Sequence, residues 1–205
     1  MAKKGSSGRW VDEHRRDEYV VRAQREGYRS RAVYKLLELL DAGEILRPGQ
    51  RVLDLGAAPG GWSEVARRVV GDAGAVVAVD LLEMEPIEGV TFIQADFRED
   101  EALARIKAAL SGQAHLVMSD MAPNISGIRS VDQARSMLLA ELALDCAAQV
   151  LVPGGHFITK LFHGEGFDFY VKTARTMFHN VKVKKPRASR PRSRETYMVA
   201  RGYEV

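Results

Sequence analysis

One cysteine, Cys146, stands in 205 residues, so no disulfide can close within the chain and no cysteine-based metal cluster is available. The five histidines, His14, His115, His156, His163 and His179, fall at none of the spacings that hold a zinc ion, and no metal is expected. No apolar run approaches the length needed to cross a bilayer. The positively charged opening "MAKKGSSGRW" is not followed by an apolar stretch of the secretory kind. These absences lead to the expectation of a cytoplasmic protein in a reducing compartment, without membrane association, its lone thiol a small core residue in "ELALDCAAQVL". Internal repeats and a Pro/Ser/Gly linker are lacking too. With 46% hydrophobic residues the chain can bury one sizeable core, and a single domain over 1–205 is expected.

What is present is unevenly distributed charge. Residues 1–35 carry ten Lys/Arg against five Asp/Glu, and residues 182–205 carry eight against two, although the whole chain is only +3. Two basic ends around an acidic body point to a surface that meets a polyanion. Short apolar runs alternate with helical patterns between those ends. "RVLDL", "AVVAVD", "VTFIQAD", "HLVMSD" and "HFITKLF" read as strands, separated by helices such as "GWSEVARRVV", "EDEALARIKAAL" and "VDQARSMLLAELALDCAAQVL". The last helix is expected to stop at Pro153-Gly154-Gly155. Before the strands, "RWVDEHRRDEYVVRAQREG" and "SRAVYKLLELLDAG" read as helices, the second with Ser30 as N-cap and Gly43 near its end. After them, "VKVKK" and "TYMVARG" follow one another without a helix and should pair antiparallel. The expected fold is α/β, a mostly parallel seven-stranded sheet with an antiparallel last strand and helices on both faces. Such sheets bind ligands outside the carboxyl ends of their strands.

At the first of those ends stands "DLGAAPGGW". Gly56, Gly60 and Gly61 do not give the G-x-G-x-x-G of a dinucleotide site, and no GK[ST] follows as a phosphate loop requires. The missing G-x-G-x-x-G argues against a hydride-transferring dehydrogenase. Asp80, at the end of the second strand, suits the two hydroxyls of a ribose. Asp96, read as the end of the third strand, suits an adenine amino group, with Phe97 beside the ring. A nucleoside site without a pyrophosphate cradle fits S-adenosyl-L-methionine.

Asp120 in "SDMAPN" and Lys160 in "ITKLF" reach the same edge from the fourth and fifth strands, and Glu195 reaches it from the start of an antiparallel last strand. Lys35, in "RSRAVYKLLELL", would cross that edge on a helix. An amine among Ile158, Leu161 and Phe162 must be paired or neutral, which marks Lys160 as a site residue. Desolvation and Lys35 favour its neutral form, Asp120 and Glu195 its charged form, so base and orienting cation both stay open.

Together "RWVDEH", "RSRAVYKL", "DLGAAPGGW", "SDMAPN", "KLFHGEGF" and "RSRETYMVA" resemble the FtsJ/RrmJ-type ribosomal RNA 2′-O-methyltransferases over nearly the whole chain. The resemblance implies a Rossmann-like class I S-adenosylmethionine-dependent fold. It also implies a catalytic tetrad on Lys35, Asp120, Lys160 and Glu195, and cofactor contacts on Gly60, Trp62, Asp80, Asp96 and Asp120. The implied reaction is 2′-O-methylation of a uridine in the A-loop of 23S rRNA, within the 50S subunit, by a monomer. Relatives with the same tetrad act on tRNA or mRNA caps. From another class, a non-catalytic RNA-binding assembly factor would have no need of Lys160.

The expected grip on RNA is the basic loop 182–194, with Lys182, Lys184, Lys185, Arg187, Arg190, Arg192 and Arg194 running straight into Glu195. The basic N-terminal helical segment, to about residue 45, would extend that patch through Arg15, Arg16, Arg22, Arg25, Arg29 and Arg31, unless these line a solvated helix face. Tyr28 and Tyr34 are candidates either to stack a flipped base or to pack.

Overall fold

The computed structural model describes residues 17–40 and 45–204. Arg15, Arg16 and Gly43 therefore lie outside the described residues. Two short helices open it, α1 (Glu18–Arg25) and α2 (Val33–Leu39), followed by β1 (Arg51–Leu55), α3 (Gly61–Val70), β2 (Ala75–Asp80) and β3 (Val90–Gln94). Then come α4 (Asp100–Leu110), β4 (Ala114–Ser119), α5 (Arg129–Val150), β5 (Leu151–Phe162), α6 (Phe167–Ala174), β6 (Phe178–Lys184) and β7 (Glu195–Tyr203).

The seven strands form one sheet in the order β3-β2-β1-β4-β5-β7-β6. All neighbours are parallel except those of β7, which runs antiparallel to both β5 and β6. Period-two alternation sorts each strand between two faces. Leu53, Val77, Phe157 and Met198 pack under α4, α5 and α6. Val52, Val76, Ile158 and Tyr197 pack under α1, α2 and α3. The strands are apolar on both sides because both sides are covered, which is why they read as continuous apolar runs.

Several boundaries differ from the sequence reading. The long helix ends at Val150, not at Pro153. Leu151 turns to ψ 142° and begins β5 at once, and Pro153-Gly154-Gly155 make an irregular stretch inside that strand, where its register against β4 slips between Leu151 and His156. Proline and glycine here interrupt a ladder instead of stopping a helix. Asp96 lies two residues beyond the end of β3. Ser30 does not cap α2 itself, since the N-cap is Ala32; its hydroxyl accepts the Ala32 N–H at 2.9 Å in the turn leading into the helix. The lone thiol is core, as expected: Cys146 is buried on α5 and burial pushes it up to about 11.

Candidate active site

Strand order reverses between β1 and β4, and the crevice at that switch point is framed by Gly56, which follows β1, and Asp120, which follows β4. The glycines there are required by geometry. Gly56 sits at φ +72°, and a Cβ on it would stand 2.2 Å from Met121 Cγ. Gly60, the N-cap of α3, sits at φ +102°, where a Cβ would lie 2.7 Å from Ile87 Cδ1. Asp80 holds the turn from the neighbouring strand. Its Oδ2 accepts the Ala58 N–H and its Oδ1 the Leu82 N–H, each at 2.9 Å.

Asp54 points from β1 into the interior and accepts a hydrogen bond from Ser63 Oγ at 2.6 Å. Burial, with Asp120 and Asp80 adding their charge, lifts its carboxyl to about 7. The turn brings no lysine of its own, and Asp80, at its edge, is a carboxylate, so the loop offers a pyrophosphate no cation.

Lys160 and Tyr197 are direct partners across the β5–β7 ladder, and Glu195 lies opposite Phe162. Positions 195 and 197 therefore share one face, the face that α2 covers. Lys160 Nζ donates to Asp120 Oδ1 at 2.8 Å and to the Asp120 carbonyl at 2.9 Å. Lys35 Nζ, from α2, lies 2.8 Å from Glu195 Oε1. Tyr197 joins the two pairs: its hydroxyl accepts from Lys35 Nζ at 3.1 Å and donates to Asp120 Oδ1 at 2.6 Å. The four charged side chains retain only 9–19% of their exposure. Burial alone would raise the Glu195 carboxyl, but Lys35 and Lys160 outweigh it and the net shift is downward. Burial, then Asp120 and Glu195, raises the Tyr197 phenol well above its ordinary value, so it stays neutral and keeps its proton to donate.

All four residues of the expected tetrad are thus brought together. Tyr197 was not among the residues singled out from the sequence, yet the signal was there, since a strand that starts at Glu195 points every second residue to the same side. The cofactor candidates divide. Gly60 and Asp80 line the turn. The Trp62 side chain is buried between α2 and β7, donating from Nε1 to the Ala32 carbonyl at 2.9 Å and packing 5.8 Å from the Tyr197 ring, which leaves only its main chain toward the crevice. Asp96 is engaged by the Arg98 guanidinium, whose hydrogen bonds hold its carboxyl below the ordinary range. Phe97 packs against the core beneath α4 and α5.

The basic loop divides as well. Lys185 Nζ donates to the Ser193 carbonyl at 2.7 Å, Arg194 is tied to the His163 carbonyl, and Arg190 Nε lies 3.6 Å from Asp17. Lys182, Arg187 and Arg192 are exposed, and Lys184 is half-buried at the end of β6. Among the N-terminal cations, Arg22 and Arg25 lie against Glu26, Arg31 pairs with Asp17, and Arg29 donates to the carbonyls of Glu85 and Pro86. Tyr34 is a packing residue, buried against Tyr19 and Tyr28 with its hydroxyl on Glu26. The "HGEGF" segment after β5 is fastened to α5 by Gln133 Nε2, which donates to the carbonyls of Phe162 and Glu165. Among the described residues no group of three or more His, Cys, Asp or Glu is arranged to hold a metal, and no helix is long and apolar enough to cross a membrane.

This strand order, with a glycine-rich turn after β1 and an acid closing β2, defines a Rossmann-like fold of the class I methyltransferase type. Comparison then supplies the family: residues 28–203 match the FtsJ-like methyltransferase model, and the chain belongs to that family. It is similar to the ribosomal RNA large subunit methyltransferase E of Pseudomonas aeruginosa PAO1, 58% identical over 99% of both chains. The protein of the same name from Marinobacter nauticus is 56% identical over the full length of both. Among solved structures, a Plasmodium falciparum protein described as a ribosomal RNA methyltransferase superposes with a TM-score of 0.76 at 29% identity, covering 86% of this chain and 98% of its own.

Proposed function

We propose that this methyltransferase moves a methyl group from S-adenosyl-L-methionine to a ribose 2′-hydroxyl of ribosomal RNA. The substrate we propose is a uridine in the A-loop of 23S rRNA, met in the assembled 50S subunit. The observation that carries this reading is the Lys160–Asp120 pair, 2.8 Å apart, at the mouth of the crevice that the glycine-rich turn opens. Relatives named for large-subunit ribosomal RNA methylation, aligned end to end with this chain, support the choice of RNA.

When bound, the cofactor supplies an electrophilic methyl on a sulfonium. Asp80 would hold its ribose hydroxyls, Asp96, on exchanging Arg98 for the ligand, its adenine amino group, and the main chain at Gly60 and Trp62, with Asp120, its amino-acid end. Asp120 takes two N–H positions of Lys160, leaving the third side of that nitrogen to face the 2′-hydroxyl of the substrate. As an ammonium Lys160 orients the 2′-oxygen through its third N–H. As a free amine it turns a lone pair to the same place and takes the 2′-hydroxyl proton as the C–O bond forms and the bond from the methyl to sulfur breaks, leaving a neutral thioether, with Asp120 stabilising the resulting ammonium. Glu195 holds Lys35 beside it. The protein acts as a soluble cytoplasmic monomer.

The test is transfer of labelled methyl to 50S subunits, free 23S rRNA and bulk tRNA, with the ribose mapped in any product. Label at one A-loop 2′-oxygen, preferentially in subunits, is the expected result, and Lys160→Ala should abolish it while cofactor affinity survives. Label only in tRNA would keep the chemistry and overturn the substrate. Cofactor binding with no transfer to any RNA would point to an assembly factor.

A further inference from the structure

The basic loop between β6 and β7 is fastened by its main chain. Glu38, on α2, accepts the Arg187 N–H on Oε2 at 2.7 Å and the Ala188 N–H on Oε1 at 3.0 Å. Arg31 donates to the Ala188 carbonyl and pairs with Asp17, and Asp17 also faces Arg190. Ala188 and Ser189 are buried under this clasp, while the Arg187 side chain points into solvent. Lys35 and Glu38 lie three residues apart on α2, which places them on neighbouring positions of one helix surface. One helix therefore carries both the ammonium paired with Glu195 and the carboxylate that seats the loop.

A carboxylate is an odd neighbour for a surface that meets phosphate. By charge alone, Glu38 repels RNA and its removal would tighten binding. Its two bonds to main-chain N–H groups are charge-assisted and bidentate, the geometry that fixes a backbone in place.

We infer that Glu38 is a positioning residue for RNA, holding the loop 187–190 on α2 so that the exposed cations stand at a fixed offset from Lys35 and the crevice. This rests on the reading that the basic loop grips RNA. Without the clasp, the loop must be ordered at the moment of binding, and affinity falls by that entropy although every cation remains. With it, the loop already holds its bound arrangement when the RNA phosphates arrive.

The sign of one substitution separates the two views. Glu38→Ala should raise the RNA dissociation constant and KM about tenfold, with kcat changed less than twofold and the slope of log K against log salt unaltered. Amide exchange at Arg187 and Ala188 should quicken in the same variant. Glu38→Gln keeps one acceptor oxygen and should fall between Ala and wild type. Unchanged or tighter RNA binding by Glu38→Ala would overturn the clasp. In parallel, Lys182→Glu with Arg187→Glu should weaken binding and flatten the salt slope. An unchanged slope there would remove the loop from the RNA interface whatever Glu38 does. Cofactor affinity and melting temperature of each variant separate these effects from loss of fold.

Discussion

Tyr197 carries no charge, yet its hydroxyl ties the two ion pairs of the site into one network. Tyr197→Phe keeps the ring that packs on Trp62 and removes a hydrogen bond to a carboxylate, worth about 1.5–3 kcal/mol. If the bond holds Asp120 for catalysis, single-turnover methyl transfer should fall roughly 10- to 100-fold, with cofactor affinity unchanged; a wild-type rate would make the bond incidental. Asp54 allows a second test at this scale. Its folded-state value near 7 stands above the ordinary 3.8, so the proton it holds stabilises the fold fully below pH 4, and that contribution is lost as pH rises through about 7. A shift of this size corresponds to a penalty on the order of 4 kcal/mol for the ionised form. Urea midpoints of the cofactor-free protein should therefore drop between pH 5 and pH 8, and Asp54→Asn should flatten that drop. Equal midpoints at the two pH values for wild type would mean that Asp54 is ionised throughout.

Among elements, the link from β1 to α3 is the most legible in sequence. "GWSEVARRVV" matches α3 residue for residue, because glycines forced by a left-handed N-cap stand directly before an amphipathic run. Gly60→Ala should cost about 1–3 kcal/mol of stability from the backbone alone, and the displacement of Ile87 and Met84 should weaken cofactor binding as well, both readable in a thermal melt with and without cofactor. Retained stability and affinity would mean that the turn relaxes around a methyl group. The α5–β5 boundary was less legible. Pro-Gly-Gly normally ends a helix, but here Leu151 already pairs with Ala114 on β4; that tertiary partner, invisible locally, settles where the helix stops. Asp96 illustrates the opposite limit: its place near the strand end could be read, but its engagement by Arg98 two residues on could not.

For the whole molecule, the alternation of strands and helices was enough for a parallel sheet with an antiparallel end, and for collecting Lys35, Asp120, Lys160 and Glu195 at one edge. Charge counting went less far. The N-terminal cations Arg22, Arg29 and Arg31 look like a basic patch in sequence, yet acids and carbonyls already engage them, and such pairing depends on the fold. Nor did the sequence order disclose that β7 lies between β5 and β6. A chain ending at Lys184 would lack Glu195 and Tyr197 and would leave β5 an open edge. It should give no cooperative melt and no transfer; cooperative unfolding would show that the first five strands hold together alone.

That insertion sets an order in time. During synthesis β6 emerges before β7, yet β7 is its sheet partner, so a nascent chain carries an unpaired strand until β7 follows it. The same segment delivers Glu195 and Tyr197 to the lysines. The site is therefore assembled in the step that closes the sheet, and a partly made chain holds no working fraction of it.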